Sequence, residues 1–217
     1  MHILSLVELL LAATAAFVLT HFASSTPLRG AAVRAIGVWP WRGIYSIVAF
    51  ATLGWMIWAY RHAPGGEPIW TPLRQLPVLV MPLAFILLAC GYARNPTIVG
   101  AEKLLKSDHP ARGMIRITRH PLMWAIILWS LAHIAARADA RAIIFFGGLF
   151  LVAALGTLLM DWKKRTDPNW PRFAALTSNV PFVAVAQGRN RVAWREIGWL
   201  RPGIGLVLFG SVLVFHP

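Results

Sequence analysis

Apolar residues fill six stretches of the chain, and polar or proline-rich segments separate them. The stretches cover residues 3–22, 41–60, 76–93, 121–136, 142–162 and 203–215. A helix needs about 20 apolar residues to span a bilayer, so the fourth and sixth stretches are short. The pattern predicts an all-α fold, a polytopic transmembrane bundle of about six helices.

The composition agrees with a membrane location. The chain has 217 residues, of which 58% are hydrophobic and 13% are charged, a balance typical of integral membrane proteins. No internal repeat, low-complexity tract or long linker divides it, so we predict a single membrane domain over residues 1–217. The first stretch contains Glu8 and no basic segment precedes it, so we expect a retained transmembrane helix and not a cleaved signal.

Basic residues concentrate in alternate loops. The net charge is +13, and 17 of the 21 lysines and arginines lie in the loops after the first, third and fifth stretches. The positive-inside rule places these loops in the cytoplasm and both termini on the other side. Anionic lipid headgroups attract nearby cations by roughly 1 kcal/mol each, which accounts for the charge without a nucleic-acid partner.

Two of the basic loops, residues 95–118 and 163–201, alternate apolar with basic positions. Segments of this kind lie in the membrane interface with their apolar face towards the lipid. We predict interfacial segments on the cytoplasmic side, which either roof a pocket or only anchor the protein to the surface. Cys90 is the one cysteine, so no intramolecular disulfide forms, and we expect a buried thiol.

Four of the seven histidines are most simply solvated or interfacial side chains, because His2, His62 and His109 lie at a terminus or in polar loops and His216 is the last residue but one. The other three are His21, His120 and His133. Ionisable groups at membrane depth are costly and usually mark a cofactor, an ion or a proton path. Neutral imidazole is a common iron ligand, and haem is often held by histidine. In one continuous helix His120 and His133 would lie about 20 Å apart along the axis and about 220° apart around it, so they cannot share an iron.

Trp129 and Ser130 precede His133 by one helical turn and share its face. These three residues form one half of a predicted pocket, and a second ligand must come from another helix. His21 is the best candidate, although a simple ruler places it near the cytoplasmic leaflet and His133 towards the far one. The alternative is ordinary hydrogen bonding between helices.

Several short motifs occur in the same order as in a known family. They are Thr20-His21-Phe22 with Pro27-Leu28-Arg29, the run from Gly113 to His120-Pro121, Leu128-Trp129-Ser130-Leu131-Ala132-His133, Thr177 to Phe182 with Gln187-Gly188-Arg189, and Phe215-His216-Pro217. On these motifs the chain resembles the NnrU family of membrane proteins, and within that group it is similar to the plastid 15-cis-zeta-carotene isomerases. The likeness covers nearly the whole chain.

The resemblance implies a haem b protein of the bacterial inner membrane, with periplasmic termini. The matching positions of the axial ligands are His21 and His133, which would also carry catalysis. In the isomerases, reduced haem is thought to drive cis–trans isomerisation of a hydrophobic polyene, which requires an electron donor. Ser130 stands where they have a cysteine proposed as an alternative ligand, and serine forms no thiolate. NnrU proteins are associated with denitrification, so the alternative is a non-catalytic factor in nitric oxide or nitrite metabolism.

A second likeness involves another class of protein. Arg119-His120-Pro121 with the later Val180-Pro181 resembles the membrane methyltransferases, in which the Arg-His-Pro segment helps to hold S-adenosylmethionine. The usual tyrosine is Met123 here, and Asp161 is the one acid where a glutamate pair is usual, so the chain is at most a relic of such an enzyme. Arg119 and His120 are predicted to bind an anionic group, either a haem propionate or a lipid phosphate, or only to anchor the helix to headgroups.

Overall fold

The computed structural model describes residues 5–98 and 100–215, and every regular element within them is helical. The predicted first residue of the first stretch, Ile3, and the closing His216-Pro217 lie outside this part of the chain. The α-helices are α1 (Leu6–Ala23), α2 (Pro27–Ile36), α3 (Val38–His62), α4 (Leu76–Gly91), α5 (Pro121–Arg137), α6 (Ala140–Lys164), α7 (Trp170–Leu176), α8 (Val183–Ala186), α9 (Trp194–Ile197) and α10 (Leu200–Phe215). Residues Glu102–Lys106 and Gly113–Arg116 form short 3-10 turns. The predicted all-α class is confirmed.

Three of these helices, α1, α3 and α6, are long and apolar enough to cross a membrane. The helices α4, α5 and α10 are equally apolar in character but shorter, at 16 or 17 residues. Each of the six corresponds to one predicted apolar stretch. Large apolar side chains such as Leu79 and Val207 are exposed on them, as expected of surfaces that face lipid. The chain has the architecture of a helical membrane bundle.

A capping box starts α1. The Ser5 hydroxyl accepts the backbone N–H of Glu8, and the Glu8 carboxylate accepts the backbone N–H of Ser5 at 2.7 Å. These bonds satisfy amide groups that have no partner inside the helix. The acidic residue in the first apolar stretch therefore has a structural role at the helix start.

The helix α2 was not predicted, because its residues read as a polar loop. Pro27 occupies its first position, where a missing N–H costs nothing. Arg29 and Arg34 interrupt its apolar residues, so the segment has no continuous apolar run. Gly37 separates α2 from α3 with a φ of 85°, a left-handed conformation that glycine adopts without strain. A short helix therefore lies between the first two apolar helices.

The chain divides into two compact units. The first contains the described residues up to 76 together with residues 130–152. In it α1 packs along α3, where the hydroxyls of Thr20 and Thr52 lie 3.5 Å apart. On another side of α1, Thr14 faces Gly148 so closely that a Cβ on the glycine would meet the threonine methyl. The aromatic rings of Tyr60 and Phe145 stack with centroids 4.5 Å apart.

The second unit contains the described residues of 77–129 and 153–215. Here α4 and α10 cross at Gly205, where a Cβ would lie 2.7 Å from the carbonyl oxygen of Phe85. Gly91 at the end of α4 leaves similar room for the Leu122 side chain. Cys90 is 3% exposed and unbonded to another cysteine, so the expected buried thiol is confirmed.

The basic loops of the second unit pack on each other. Trp170 and Phe173 are buried and contact Leu105 and Ile115 of the other loop. The expectation that their apolar faces lie on the membrane is therefore wrong for these two side chains, which form a small core instead. Val180 and Phe182 of the same segment are about half exposed and remain available for the membrane interface.

Candidate functional site

The predicted site residues divide between the two units. His21, Ser130 and His133 belong to the first unit, whereas Arg119, His120 and Trp129 belong to the second. The structure brings Arg119 and His120 into one buried polar cluster. The two histidines predicted as iron ligands lie on α1 and α5 of the first unit, within the apolar helices.

His21 lies in the last turn of α1, partly buried. Its Nδ1 is 2.8 Å from the carbonyl oxygen of Phe17, and its ring contacts the rings of Phe17 and Tyr45, with centroids 4.1 and 6.2 Å away. The carbonyl can only accept, so Nδ1 carries the hydrogen and Nε2 carries the lone pair. This tautomer is the one found in histidines that bind a metal through Nε2.

His62 at the end of α3 makes the same local bond. Its Nδ1 is 2.8 Å from the carbonyl oxygen of Trp58, but its side chain is exposed. His62 also stacks on Trp58, with ring centroids 4.6 Å apart, so neither the carbonyl bond nor an aromatic neighbour is particular to His21. Burial distinguishes the two, since His21 is partly buried and His62 is exposed, and His62 serves as the control.

His133 lies in α5, half buried, and stacks on Phe146 of α6 with ring centroids 5.0 Å apart. Ser130, one turn earlier, is completely buried, and its hydroxyl has no hydrogen-bond partner among the described residues. Trp129 is partly buried on the same helix. The predicted half-pocket on this helix is therefore an aromatic and largely apolar environment.

Contacts between helices give the relative depth of the two histidines. His133 is level with Phe146, two residues before Gly148, and Gly148 packs on Thr14 of α1. Thr14 precedes His21 by two helical turns, which is about 10 Å along the axis. The two histidines therefore differ in depth.

A second route, through α3, agrees. The rings of Tyr60 and Phe146 are in contact, and Thr52, about 12 Å back along α3, faces Thr20 beside His21. Both routes give a stagger of roughly 10 Å or more. The sequence alone left the relative depth of His21 and His133 open.

In the second unit, His120 and Arg119 meet Asp161 at the entry to α5. His120 is 1% exposed, and its Nε2 lies 2.6 Å from Asp161 Oδ1. Arg119 Nη1 lies 3.3 Å from the other carboxylate oxygen, and Nη2 donates to the Thr177 carbonyl at 2.9 Å. Trp170 covers the guanidinium at 5.6 Å. One carboxylate thus binds both the Arg119 guanidinium and the His120 imidazole.

Burial lowers the pKa of His120, and the hydrogen bond and charge of Asp161 oppose this only in part. The imidazole is therefore neutral near pH 7, with the hydrogen on Nε2 and donated to Asp161. Its Nδ1 then carries a lone pair, which is buried and has no partner among the described residues. An unpaired buried acceptor is unusual and is available to a ligand that brings a hydrogen-bond donor.

Asn179 fixes this cluster to the neighbouring helices. Its carbonyl accepts the Thr118 hydroxyl at 2.6 Å and the Trp124 indole N–H at 2.8 Å, and its side-chain amide donates to Thr157 at 2.8 Å. Asp161 and Asn179 were missed as site residues. Asn179 lies in a motif of the resemblance, whereas Asp161 had attracted notice only as a departure from the methyltransferase pattern.

A second polar connection explains the run Gly113-Met114-Ile115-Arg116. Glu196 accepts two hydrogen bonds from the Arg116 guanidinium, both at 2.8 Å, and one from the Gly113 N–H at 2.9 Å. These bonds lower the pKa of Glu196 to about 2. Gly113 has a φ of 58°, and a Cβ there would lie 3.3 Å from the Glu196 carbonyl oxygen, so both conformation and space require glycine.

The number of possible metal-ligating side chains that lie together limits the kinds of metal centre that the chain can hold. The described part of the chain contains no cluster of three or more histidine, cysteine or acidic side chains with metal-ligand spacing. A centre ligated only by protein through such residues needs at least three, whereas a porphyrin already supplies four nitrogens and needs one or two axial ligands. His21 and His133 fit a haem better than a protein-only metal site.

Comparison with known proteins gives one clear relationship. The family model described as NnrU protein matches residues 9–217, nearly the whole chain. No curated protein and no solved structure matches it. The chain belongs to the NnrU family.

Proposed function

We propose that this protein binds haem b in the bacterial inner membrane, with periplasmic termini and with His21 and His133 as the candidate iron ligands. The observation that carries the proposal is the hydrogen bond between His21 Nδ1 and the Phe17 carbonyl oxygen, which orients the ring and leaves Nε2 as the nitrogen that could bind a metal. Both histidines come from apolar helices of one unit, and cofactor sites of helical bundles are built from such helices.

The surroundings of the two histidines suit a porphyrin. Phe17 and Tyr45 flank His21, and Phe146 stacks on His133. Ligand sites are lined mostly by apolar and aromatic side chains with a few placed polar groups. The buried Ser130 hydroxyl adds a polar group on the His133 face.

The stagger between the histidines bears on how an iron would be held. Two imidazoles would reach one iron from opposite sides, whereas a haem held by one histidine would keep a position open for nitric oxide or another small ligand. A stagger of roughly 10 Å or more allows ligation by both histidines only if the line through the two imidazoles and the iron runs close to the helix axes. The spectra of the two histidine variants distinguish the arrangements.

Bound haem would supply one-electron redox chemistry and an iron that binds small ligands. Two functions follow from that chemistry. In the first, the protein is an enzyme that performs redox or isomerase-like chemistry on a hydrophobic polyene after reduction by an electron donor. In the second, it is a non-catalytic factor that binds nitric oxide during nitrite respiration. In both, the Phe17 carbonyl fixes the tautomer of His21.

The cluster of Arg119, His120 and Asp161 favours a second candidate. It joins the Arg-His-Pro segment to an acid of α6 and to the chain around Thr177, the regions that carry the likeness to membrane methyltransferases. The unpaired His120 Nδ1 offers an acceptor to a ligand such as the ammonium group of S-adenosylmethionine. The candidate is a cofactor-binding relic of that enzyme class.

Visible spectra of purified protein, oxidised and reduced with dithionite, test the haem proposal. Wild type is compared with His21→Ala, His133→Ala and the control His62→Ala, which removes the same local bond at an exposed position. We expect the haem signal to be lost or changed in at least one of the first two variants and unchanged in the control. Loss in one variant alone indicates single-histidine ligation, and loss in both indicates two ligands.

Colourless wild-type protein after expression with ample haem would overturn the proposal. Calorimetric titration with S-adenosylmethionine, beside Arg119→Gln, then tests the second candidate. If haem is present, incubation of reduced protein with a poly-cis carotene distinguishes the two haem functions. A trans product that requires reduction supports the enzyme, whereas a nitric oxide adduct without turnover supports the non-catalytic factor.

A further inference from the structure

A cleft lined by arginines lies in the second unit, where two apolar helices end. The helix α4 ends at Gly91 and α10 begins at Leu200, and the two cross further along at Gly205. The cleft occupies the space beside these ends. Its charged walls are Arg94, Arg112, Arg201 and Glu196.

Arg116 already offsets the charge of Glu196, although Arg112 lies close enough to help lower the pKa of that carboxylate. The carboxylate is already bound by both nitrogens of the Arg116 fork and by the Gly113 N–H. A carboxylate that accepts three such bonds has little capacity left for further cations. The cleft therefore keeps an excess of positive charge.

The three lining arginines have no counter-ion of their own. Within the described residues no hydrogen bond or ion pair involves the side chains of Arg94, Arg112 or Arg201. Asp108 lines an adjoining cleft that shares Arg94 and Arg112, but it forms no ion pair with them. Like charges gathered around one space repel each other, and an anion between them removes that repulsion.

We propose that this arginine cleft binds a phosphate group. Guanidinium is planar, permanently charged and suited to bidentate hydrogen bonds with phosphate oxygens. Arg201 lies in the first turn of α10, where the helix dipole disfavours a cation and favours an anion. A phosphate in the cleft would therefore satisfy both the arginines and the start of that helix. The residues that line it belong to the second unit, whereas His21 and His133 belong to the first.

Two sources can supply the phosphate. Trp194 and Trp199, at 68% and 86% exposure, lie within two residues of the lining residues Glu196 and Arg201 along the chain, and exposed tryptophans beside apolar helix ends mark the headgroup level of a membrane. An anionic lipid headgroup is thus within reach, as in other basic pockets between membrane helices. A phosphorylated compound or inorganic phosphate from the aqueous side offers the same chemistry, so the experiment has to separate the two.

The first arm measures retained lipid. Full-length protein is purified in mild detergent from membranes rich in phosphatidylglycerol and cardiolipin, and bound phospholipid is quantified by native mass spectrometry. The cleft variant carries Arg94→Gln, Arg112→Gln and Arg201→Gln. The control carries Arg165→Gln, Arg191→Gln and Arg195→Gln, which remove the same charge from exposed positions outside the cleft. We expect at least tenfold less anionic lipid on the cleft variant than on wild type or control.

The second arm tests free phosphate. Inorganic phosphate is titrated into delipidated protein in neutral detergent, and the midpoint of thermal unfolding is followed. If wild type and control retain no lipid but are stabilised by phosphate, and the cleft variant is not, the cleft binds a soluble phosphate. If the triple variant does not give monodisperse protein, Arg112→Gln alone replaces it, with a loss of threefold or more expected. Equal lipid retention and equal phosphate response in all proteins would overturn the proposal.

Discussion

His120 donates its Nε2 hydrogen to Asp161 across 2.6 Å, and this bond joins the entry of α5 to the last turn of α6. Asp161 holds Arg119 with its second oxygen. The side chains of all three residues are at most 17% exposed. Because a buried charge needs a partner, the cluster behaves as one electrostatic unit, and its members cannot be changed independently.

Replacement of the shared carboxylate should destabilise the protein strongly. Asp161→Asn keeps the size of the side chain but leaves Arg119 as a buried cation without a counter-ion, so we expect a loss of roughly 3 kcal/mol in the free energy of unfolding. Chemical unfolding in detergent measures it. Asp108→Asn is the control, since that side chain is exposed and should change stability by about 0.5 kcal/mol or less. Equal stability of the two variants would contradict the proposal that Asp161 stabilises the fold as the counter-ion of Arg119.

The protein should lose stability as the solution becomes mildly acidic. Burial lowers the pKa of His120 below its ordinary 6.5. As the pH falls below 6.5, the His120 imidazole is therefore protonated in the unfolded chain before it is protonated in the folded chain. Its contribution to stability is thus fully present above pH 6.5 and is lost as the pH falls, by up to about 1.4 kcal/mol per pH unit. Thermal midpoints between pH 8 and 5 should fall less steeply in His120→Gln. The exposed His109→Gln variant should keep the wild-type slope.

The fork between Arg116 and Glu196 should contribute more than an exposed ion pair. Glu196→Gln removes the charge from two hydrogen bonds with Arg116, and we expect a loss of about 2 kcal/mol in the free energy of unfolding. Glu102→Gln breaks a longer contact with Lys164, at 3.6 Å and with the Glu102 side chain about half exposed, and should cost less than about 1 kcal/mol. Because the pKa of Glu196 is lowered from 4.5 to about 2, its contribution is present above pH 4.5 and disappears as the pH falls towards 2. A Glu196→Gln variant as stable as wild type at pH 7 would contradict this.

Gly205 should be the least replaceable glycine of α10. A methyl group at Gly205 would lie 2.7 Å from the Phe85 carbonyl oxygen, so Gly205→Ala must push α4 and α10 apart. We expect a loss of about 1–3 kcal/mol, measured by unfolding in detergent. Gly210 on the same helix has open space around its Cβ position. Gly210→Ala should therefore be neutral or stabilising by up to about 1 kcal/mol, since alanine is the better helix former.

Hydrophobic pattern predicted the six apolar helices because length and apolar content alone define them. The same criterion overlooked α2, in which ten residues include Arg29 and Arg34, since a short helix with charged positions has the composition of a loop. Trp170 was assigned to the membrane interface for a similar reason. Composition does not distinguish an aromatic ring that meets lipid from one that meets Phe173 and Leu105 of the protein.

Some features of the candidate site could be predicted from the sequence more completely than others. His120 and Arg119 stood out as charged residues at a helix entry, but their partner Asp161 lies 41 residues later, and no local pattern connects positions so far apart. The relative depth of His21 and His133 was left open, because counting residues along a helix gives a depth only when the point at which that helix enters the membrane is known. The arginine cleft was not visible, because it forms only where residues near 94, 112 and 201 converge.

The fork of Arg116 and Glu196 also sets an order of events during synthesis. The two residues are 80 positions apart, and ribosomes add roughly 5 to 20 residues each second. On the order of 4 to 16 seconds therefore pass between the synthesis of Arg116 and that of Glu196. The segment that leads into α5 is thus made well before the residue that stabilises it. A nascent chain that stops before Glu196 would expose this segment to proteases, so the last fifth of the chain governs how long the new protein remains vulnerable.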